Sequence, residues 1–258
     1  MNVALIAAGL FVGLLVGLTG VGGGSIMTPL LVVVLRVNPL VAVGTDLLYS
    51  APMKLYGAYI HYRQGTTNAP IVKALCLGGI PGALVGLALL GWLRHHVDVH
   101  VVELWTRHAI AVMIFLAAAL ILRKPLSQGE APSDSATFSW PPSVRRRVVA
   151  LGAFVGLVVS LTSIGSGSVT LPLLALALPL VGLPTLVGSD IAFAAFLIPV
   201  AAAGRWSMGD VNLGITANLL AGSLPGVYIG SKLCRRLHQQ WLRPIVALAL
   251  AFVGVRLI

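Results

Sequence analysis

The stretch Gly13 to Pro29, GLLVGLTGVGGGSIMTP, returns as Gly156 to Pro172, GLVVSLTSIGSGSVTLP, so one glycine-interrupted apolar segment occurs twice in the chain. The match continues through VGTD (Val43 to Asp46) against VGSD (Val187 to Asp190) and through GGIPGALVG (Gly78 to Gly86) against GSLPGVYIG (Gly222 to Gly230). Each half is therefore one copy of a helical unit. In a membrane, duplicated hydrophobic segments broken by Gly at corresponding places are the sequence pattern of a transporter with its binding site between the repeats.

Composition places the chain in a bilayer. Of 258 residues, 58% are hydrophobic and only 9% charged, and the mean hydropathy is +0.98, which leaves too little polar surface to clothe a soluble globule. The apolar stretches are long and do not alternate with period two. Because lipid requires backbone groups to be satisfied within each segment, helices are favoured over a barrel. The expected fold class is all-α, a polytopic membrane protein of two homologous helical repeats in inverted arrangement, each with a Gly-broken short helix.

The net charge of +10 would suggest a nucleic-acid partner in a soluble protein. Here Lys and Arg sit at segment ends, where positive-inside bias places them, so no nucleic acid is expected. Cys76 and Cys234 lie inside apolar segments at unmatched repeat positions, which indicates neither a disulfide framework nor a thiolate metal site. The opening run Val3 to Leu18 lacks a basic n-region and its later part recurs in the second half, so it reads as a retained structural segment rather than a secretory signal.

Five apolar segments per half are read: 3 to 20, 25 to 36, 40 to 61, 71 to 92 and 104 to 122, then 147 to 163, 168 to 180, 184 to 204, 213 to 233 and 241 to 257. This gives membrane repeat 1 over 1–122, a flexible cytoplasmic linker over 123–147 and membrane repeat 2 over 148–258. The linker carries SQGEAPSDS, with no helical or strand period. Arg123, Lys124 and Arg145 to Arg147 fix its side as cytoplasmic. If every segment crosses or returns, the halves are inverted and Lys232, Arg235, Arg236 and Arg243 also face the cytoplasm. If each first pair counts as one crossing, that cluster faces outward.

The interruptions Gly20, Val21, Gly22, Gly23, Gly24 and Ser163, Ile164, Gly165, Ser166, Gly167 fall where a continuous span would run. Glycine permits positive φ and leaves amides uncovered. Ser25 and Ser168 then stand like N-caps of short helices whose first amides and positive dipole ends point into the membrane interior. Two facing helix N-termini make an anion site. The bland alternative is that these glycines only allow close helix packing. The expected substrate-binding residues are Gly22, Gly23, Gly24, Ser25, Gly165, Ser166, Gly167, Ser168 and Lys54.

Asp46, Ser50, Lys54, Gly57 and His61 are spaced by three or four and form one polar stripe. Charges within a span mark a pathway or a paired internal site. Asp46 and Lys54 are two turns apart, so each needs water, substrate or a partner from another segment. The matching stripe, Asp190, Ala194, Ile198, Ala201 and Arg205, keeps the acid and replaces the lysine with isoleucine. Asp46, Asp190 and His61 are the candidates for coupling or gating, against the alternative that Thr45 with Asp46 and Ser189 with Asp190 only orient the broken segments. Gly78, Gly82 and Gly86, matched by Gly222, Gly226 and Gly230, read as helix-contact faces. The run HHVDVHVVELWTRH supplies His95, His96, Asp98, His100, Glu103 and His108, but its spacing matches no catalytic zinc pattern. An interfacial connection is the simpler reading, with Trp92 and Trp105 as anchors, and neither a metal nor a cofactor is expected.

The GLTGVGGGSIMTPLL opening, the VGTD stretch, the LGGIPGALVG segment and their second copies resemble the TauE/SafE family of sulfite and organosulfonate exporters, also called the toluenesulfonate uptake permease group. The resemblance spans nearly the whole chain apart from the linker. It implies a multi-pass permease of the cell inner (plasma) membrane for small sulfur-containing anions such as sulfite and sulfonates. The residues themselves agree on the sign of the cargo, since helix N-termini, Ser hydroxyls and Lys54 favour a compact oxyanion. The expectation is a non-enzymatic secondary transporter, working in export, with a small anionic substrate, membrane lipid and a second copy of the chain as partners. A metal-cation permease resting on Asp46 and Asp190 is the alternative. An intramembrane hydrolase using Ser25 or Ser168 with His61 is a further one.

Overall fold

The computed structural model describes residues 3–19, 24–122 and 141–234. The last apolar segment, 241 to 257, and Arg235, Arg236 and Arg243 lie outside the described residues, as does 123–140 of the linker. Within them the chain is helical: α1 (Val3–Thr19), α2 (Gly24–Val33), α3 (Pro39–Arg63), α4 (Ala69–His96), α5 (Val99–Leu122), α6 (Pro142–Thr162), α7 (Thr170–Ala177), α8 (Leu183–Ser207) and α9 (Leu213–Cys234). No strand occurs among the described residues. Helix α6 starts five residues before the expected segment, because Pro142 is compatible with the first turn, where its missing N–H has no helical partner.

Three of these helices, α4, α5 and α8, are long and apolar enough to cross a membrane. Their neighbours differ for readable reasons. The polar stripe interrupts α3, and Arg145 to Arg147 open α6. Helices α2 and α7, at 10 and 8 residues, rise only about 15 Å and 12 Å against a hydrocarbon core of about 30 Å. Large apolar side chains such as Leu77, Leu84, Val112, Phe196 and Leu224 are exposed, the arrangement expected where lipid rather than water surrounds the bundle.

Small residues decide which helices meet. A Cβ at Gly78 would run into the Val149 carbonyl, one at Gly82 into that of Ala153, and one at Gly156 into that of Gly79, so α4 and α6 pack backbone to backbone. Gly222 and Gly226 meet Ile6 and Leu10 in the same way, and Gly9 and Gly13 meet Leu219 and Ser223, joining α1 to α9. In both seams residue numbers rise together, so the paired helices run parallel. The first helix of each sequence copy thus lies against the fourth helix of the other, on a small-residue face of the kind that lets membrane helices approach closely.

Helices α3 and α8 run antiparallel at the centre. Gly44, early in α3, abuts Asp210 just beyond the end of α8, and Gly188, early in α8, abuts Thr66 just beyond the end of α3. The hydrogen bonds are exchanged likewise: the Asn212 amide donates to Thr45 Oγ1 at 3.1 Å and the Asn68 amide to Ser189 Oγ at 3.0 Å. The sequence offset that carries Asp46 onto Asp190 also carries Thr45 onto Ser189, Asn68 onto Asn212 and Thr66 onto Asp210. Around this pair the largest apolar cluster gathers, with Leu47, Leu75, Val159, Ile164, Phe193 and Leu197 fully or almost fully buried.

Direction through the bundle follows from the short turns. Only Val97 and Asp98 separate α4 from α5, so Arg94 and the start of α5 share one face, and α5 leads from there to the linker on the opposite face. The Asn38 amide group donates to Glu103 Oε1 at 2.6 Å, which places the start of α3 on the face away from the linker. Helix α9 begins near that start, through Asn212 and Thr45, and descends toward the linker side.

Candidate functional site

The second interruption is stretched between two buried acids. It opens at Ser163, left-handed at φ 62° as the C-cap of α6, where the hydroxyl donates to Asp46 Oδ2 at 2.8 Å. It closes at Gly167, beside the Asp190 carboxylate, where the Thr170 hydroxyl donates to the Gly165 carbonyl at 2.8 Å. Gly165 and Gly167 take φ of 144° and 94°, conformations that side-chain-bearing residues rarely adopt.

The first interruption meets it there. A Cβ on Gly24 would strike the Ser163 carbonyl oxygen and approach Asp46 Oδ2 and Ser163 Oγ. Four residues on, Thr28 Oγ1 donates to the same Asp46 oxygen at 2.5 Å, and Ser50 reaches Asp46 Oδ1 from within α3 at 3.4 Å. Asp46 therefore ties α2, α3 and the end of α6 together. Gly22 and Gly23 lie outside the described residues.

Two expectations about the serines are revised. Helix α7 starts at Thr170 with Val169 in the cap position and no side-chain cap bond, so Ser168 does not cap it. Four successive turn residues, Ser166 to Val169, follow Gly165 and delay the helix to Thr170. Ser25 lies inside the first turn of α2, which begins at Gly24. Both serines are nonetheless buried. Ser168 Oγ, sealed from solvent, has no hydrogen-bond partner, and neither does Asp190 Oδ1. Ser166, 8% exposed, lines the same turn.

Lys54 stands eight residues beyond Asp46, about 12 Å along α3; it interacts electrostatically with Asp190 of α8 without forming an ion pair. Through Ser163 the structure thus joins Gly24, with Ser25 beside it, to Asp46, and the turn from Gly165 through Ser166 and Gly167 to Ser168 runs on toward Asp190; Lys54 is tied to this set only by its charge interaction with Asp190. The geometry does not bring His61 there. His61 lies about 22 Å from Asp46 along α3, half-buried, with Nδ1 2.8 Å from Thr66 Oγ1.

One constellation was not singled out from sequence. Arg205, fully buried at the end of α8, donates from Nε to the Ser160 carbonyl at 3.0 Å, from Nη2 to that of Leu161 at 2.7 Å and from Nη1 to Asp210 Oδ2 at 2.9 Å. Arg94 reaches the other oxygen, Asp210 Oδ1, at 2.5 Å and the Met208 carbonyl at 3.2 Å. The available signal was an arginine ending an apolar span with an acid five residues later.

Away from the centre, a cavity of about 450 Å³ opens beside the outer ends of α2 and α5, lined by Arg36, Asn38, Glu103 and Arg107 among apolar walls. No expected site residue lies in it. Along the histidine-rich run, Glu103 accepts from Asn38 and stands 3.9 Å from His100 Nδ1. Among the described residues no three His, Cys, Asp or Glu side chains gather as metal ligands. Trp92 and Trp105 are exposed at this boundary.

Broken apolar helices meeting inside a helical bundle define a membrane transporter. The chain belongs to the sulfite exporter TauE/SafE family, whose model it matches over residues 5–257. Among curated proteins of Bacillus subtilis (strain 168), it is 40% identical over 270 residues to the probable membrane transporter protein YjnA, covering 100% of both chains. It is 28% identical to the probable membrane transporter protein YdhB over 95% of this chain and 96% of that one. To the probable membrane transporter protein YunE it is 24% identical, over 99% of this chain and 97% of that one. No solved structure matches it.

Proposed function

We propose that this protein is a multi-pass secondary transporter of the inner membrane that exports small sulfur-containing anions, sulfite and sulfonates, through a site at the paired interruptions. The observation that carries the reading is the contact of Gly24 with Ser163: two breaks far apart in sequence occupy one place. The exchanged bonds of Thr45 with Asn212 and Ser189 with Asn68 support an inverted repeat, in which one set of helices rocks against the other.

The sign of the cargo follows from what is left to bind it. Three hydroxyls already point their protons at Asp46, which satisfies that acid from within the protein. The unpartnered hydroxyl of Ser168, the backbone of the glycine turn and the Lys54 ammonium, which interacts with Asp190, are the donors this reading assigns to the cargo, and donors with a cation select a compact oxyanion. Asp190, with one oxygen unpartnered, is the group on which a coupled proton would ride. His61 at its Thr66 contact serves gating rather than binding. With the cell interior negative, moving one negative charge outward gains about 2.3 kcal/mol per 100 mV, so export needs no ATP-driven partner.

Flux of sulfite and small sulfonates in proteoliposomes tests the reading. Ser25→Leu and Ser168→Leu put apolar bulk at the two interruptions and abolish flux in folded protein; flux at the parent level in both variants rules out the assigned site.

A further inference from the structure

The two turns that occupy corresponding positions, 64–68 after α3 and 208–212 after α8, are fastened with very different strength. We propose that Arg205 is a positioning residue for the second interruption and that Arg205, Asp210 and Arg94 together form a latch holding the passage shut on the face away from the linker. The inference rests on the reading of the interruptions as the site.

Helix α6 stops at Thr162, so its last carbonyls have no amide one turn further on. The Ser163 amide takes the Val159 carbonyl at 2.8 Å. Arg205 takes the next two, those of Ser160 and Leu161, with two arms of one planar guanidinium. Lysine, a single point charge, has no such fork. Arg205 therefore fixes where α6 ends and where Ser163 begins the turn toward Asp46. A buried guanidinium is tolerated only with its charge matched, and Asp210 supplies the match from the turn between α8 and α9.

Asp210 is also held by Arg94 in the last turn of α4, and its turn is fastened to α3 by Asn212 on Thr45. The ends of α4, α6 and α8 and the start of α3 are thus joined across one face by two ion pairs around a carboxylate only 6% exposed. On the other face the positions of Arg205 and Asp210 are taken by His61 and Thr66. There the turn keeps the matching bond of the Asn68 amide to Ser189 Oγ at 3.0 Å, but in place of the ion pairs it has only two local hydrogen bonds: His61 Nδ1 with Thr66 Oγ1 at 2.8 Å and Thr66 Oγ1 to the His61 carbonyl at 3.1 Å. Desolvated, charge-assisted bonds outlast neutral ones, so the turn on the linker side releases first. The resting protein opens its site toward the linker.

Sidedness of thiol labelling tests this. Ser166→Cys is placed in a Cys76→Ala, Cys234→Ala background, and a membrane-impermeant methanethiosulfonate is applied to sealed vesicles from one face or the other. The expected result is faster labelling from the linker face. Arg205→Gln should raise the rate from the opposite face by about tenfold, the scale of a modest population shift, while the linker-face rate stays within about twofold. If Arg205→Gln does not accumulate, Arg94→Gln, whose side chain is 20% exposed, carries the same test, and Arg94→Lys, which keeps the charge beside Asp210, should label like the parent. Copying the latch with His61→Arg and Thr66→Asp should slow labelling from the linker face. Unchanged rates, or an equal rise from both faces as in a merely loosened fold, overturn the proposal. Labelling needs no substrate, so the absence of sulfite flux would count against the function proposed above and leave this result standing.

Discussion

Ser163 donates its hydroxyl to Asp46 across 2.8 Å and across 117 residues of sequence, and this bond fixes the second interruption against the first. Thr28 donates to the same oxygen from α2. Removing the acceptor leaves buried hydroxyls without a partner, each costing about 1–3 kcal/mol where no other acceptor is in reach. Asp46→Ala should therefore lower stability in detergent by about 2–4 kcal/mol, while Asp46→Asn, which keeps an acceptor oxygen, should lose about half as much. Chemical or thermal unfolding of the two variants checks the order; an Asn variant as unstable as the Ala one would contradict this role for the carboxylate.

The glycine seams give a sharper contrast. At Gly156 an added Cβ collides with the Gly79 carbonyl oxygen, and backbone cannot swing aside as a side chain can. Gly156→Ala should cost about 1–3 kcal/mol through overpacking. Gly91, in the same α4 helix, faces only Met208 at an ordinary 3.7 Å. There Gly91→Ala should be neutral or stabilising by up to about 1 kcal/mol, since alanine is the better helix former. Melting curves of the pair in one detergent decide the point.

The matching asparagine caps of α4 and α9 should behave alike. Asn68 Oδ1 accepts from the Ile71 amide at 3.2 Å and Asn212 Oδ1 from the Ile215 amide at 3.0 Å. Loss of such a cap costs about 1 kcal/mol. Asn68→Ala and Asn212→Ala are expected to cost equal amounts and to add in the double variant, as separated sites do. A strongly unequal pair would show that the exchanged contacts with Ser189 and Thr45 do not bear equal weight.

Much of this arrangement was legible in the sequence because it was written twice. The duplicated Gly-rich stretch located the interruption after α6 and the start of α2 at Gly24, the three-or-four spacing from Asp46 to His61 put five residues on one face of α3, and the four-residue glycine spacing marked the α4 and α9 seams. What could not be read was distance across the bundle. That Lys54 interacts with the charge of Asp190, on α8, is not visible along α3. The capping role assigned to Ser168 failed because a turn of four residues, Ser166 to Val169, intervenes before α7, a matter of φ angles at Gly165 and Gly167 rather than residue type. Arg205 looked like the polar end of a stripe; the carbonyls it binds lie 44 and 45 residues away, and no local pattern encodes such a pairing.

Lys54 supplies the last test, of charge selection itself. Its repeat counterpart is Ile198, so Lys54→Ile makes the two half-sites alike and removes the cation acting on Asp190. If the ammonium attracts the cargo, the KM for sulfite or a small sulfonate in proteoliposomes should rise by about tenfold or more, the loss of one charge-assisted hydrogen bond of about 1.5–3 kcal/mol. Lys54→Arg keeps the charge and should retain most of the affinity, whereas a purely structural contact would be disturbed by the larger guanidinium at least as much as by isoleucine. A variant series in which KM is unchanged but Tm falls would assign Lys54 to holding α3 against α8, and would leave the donors of the glycine turn as the only anion-binding groups of the site.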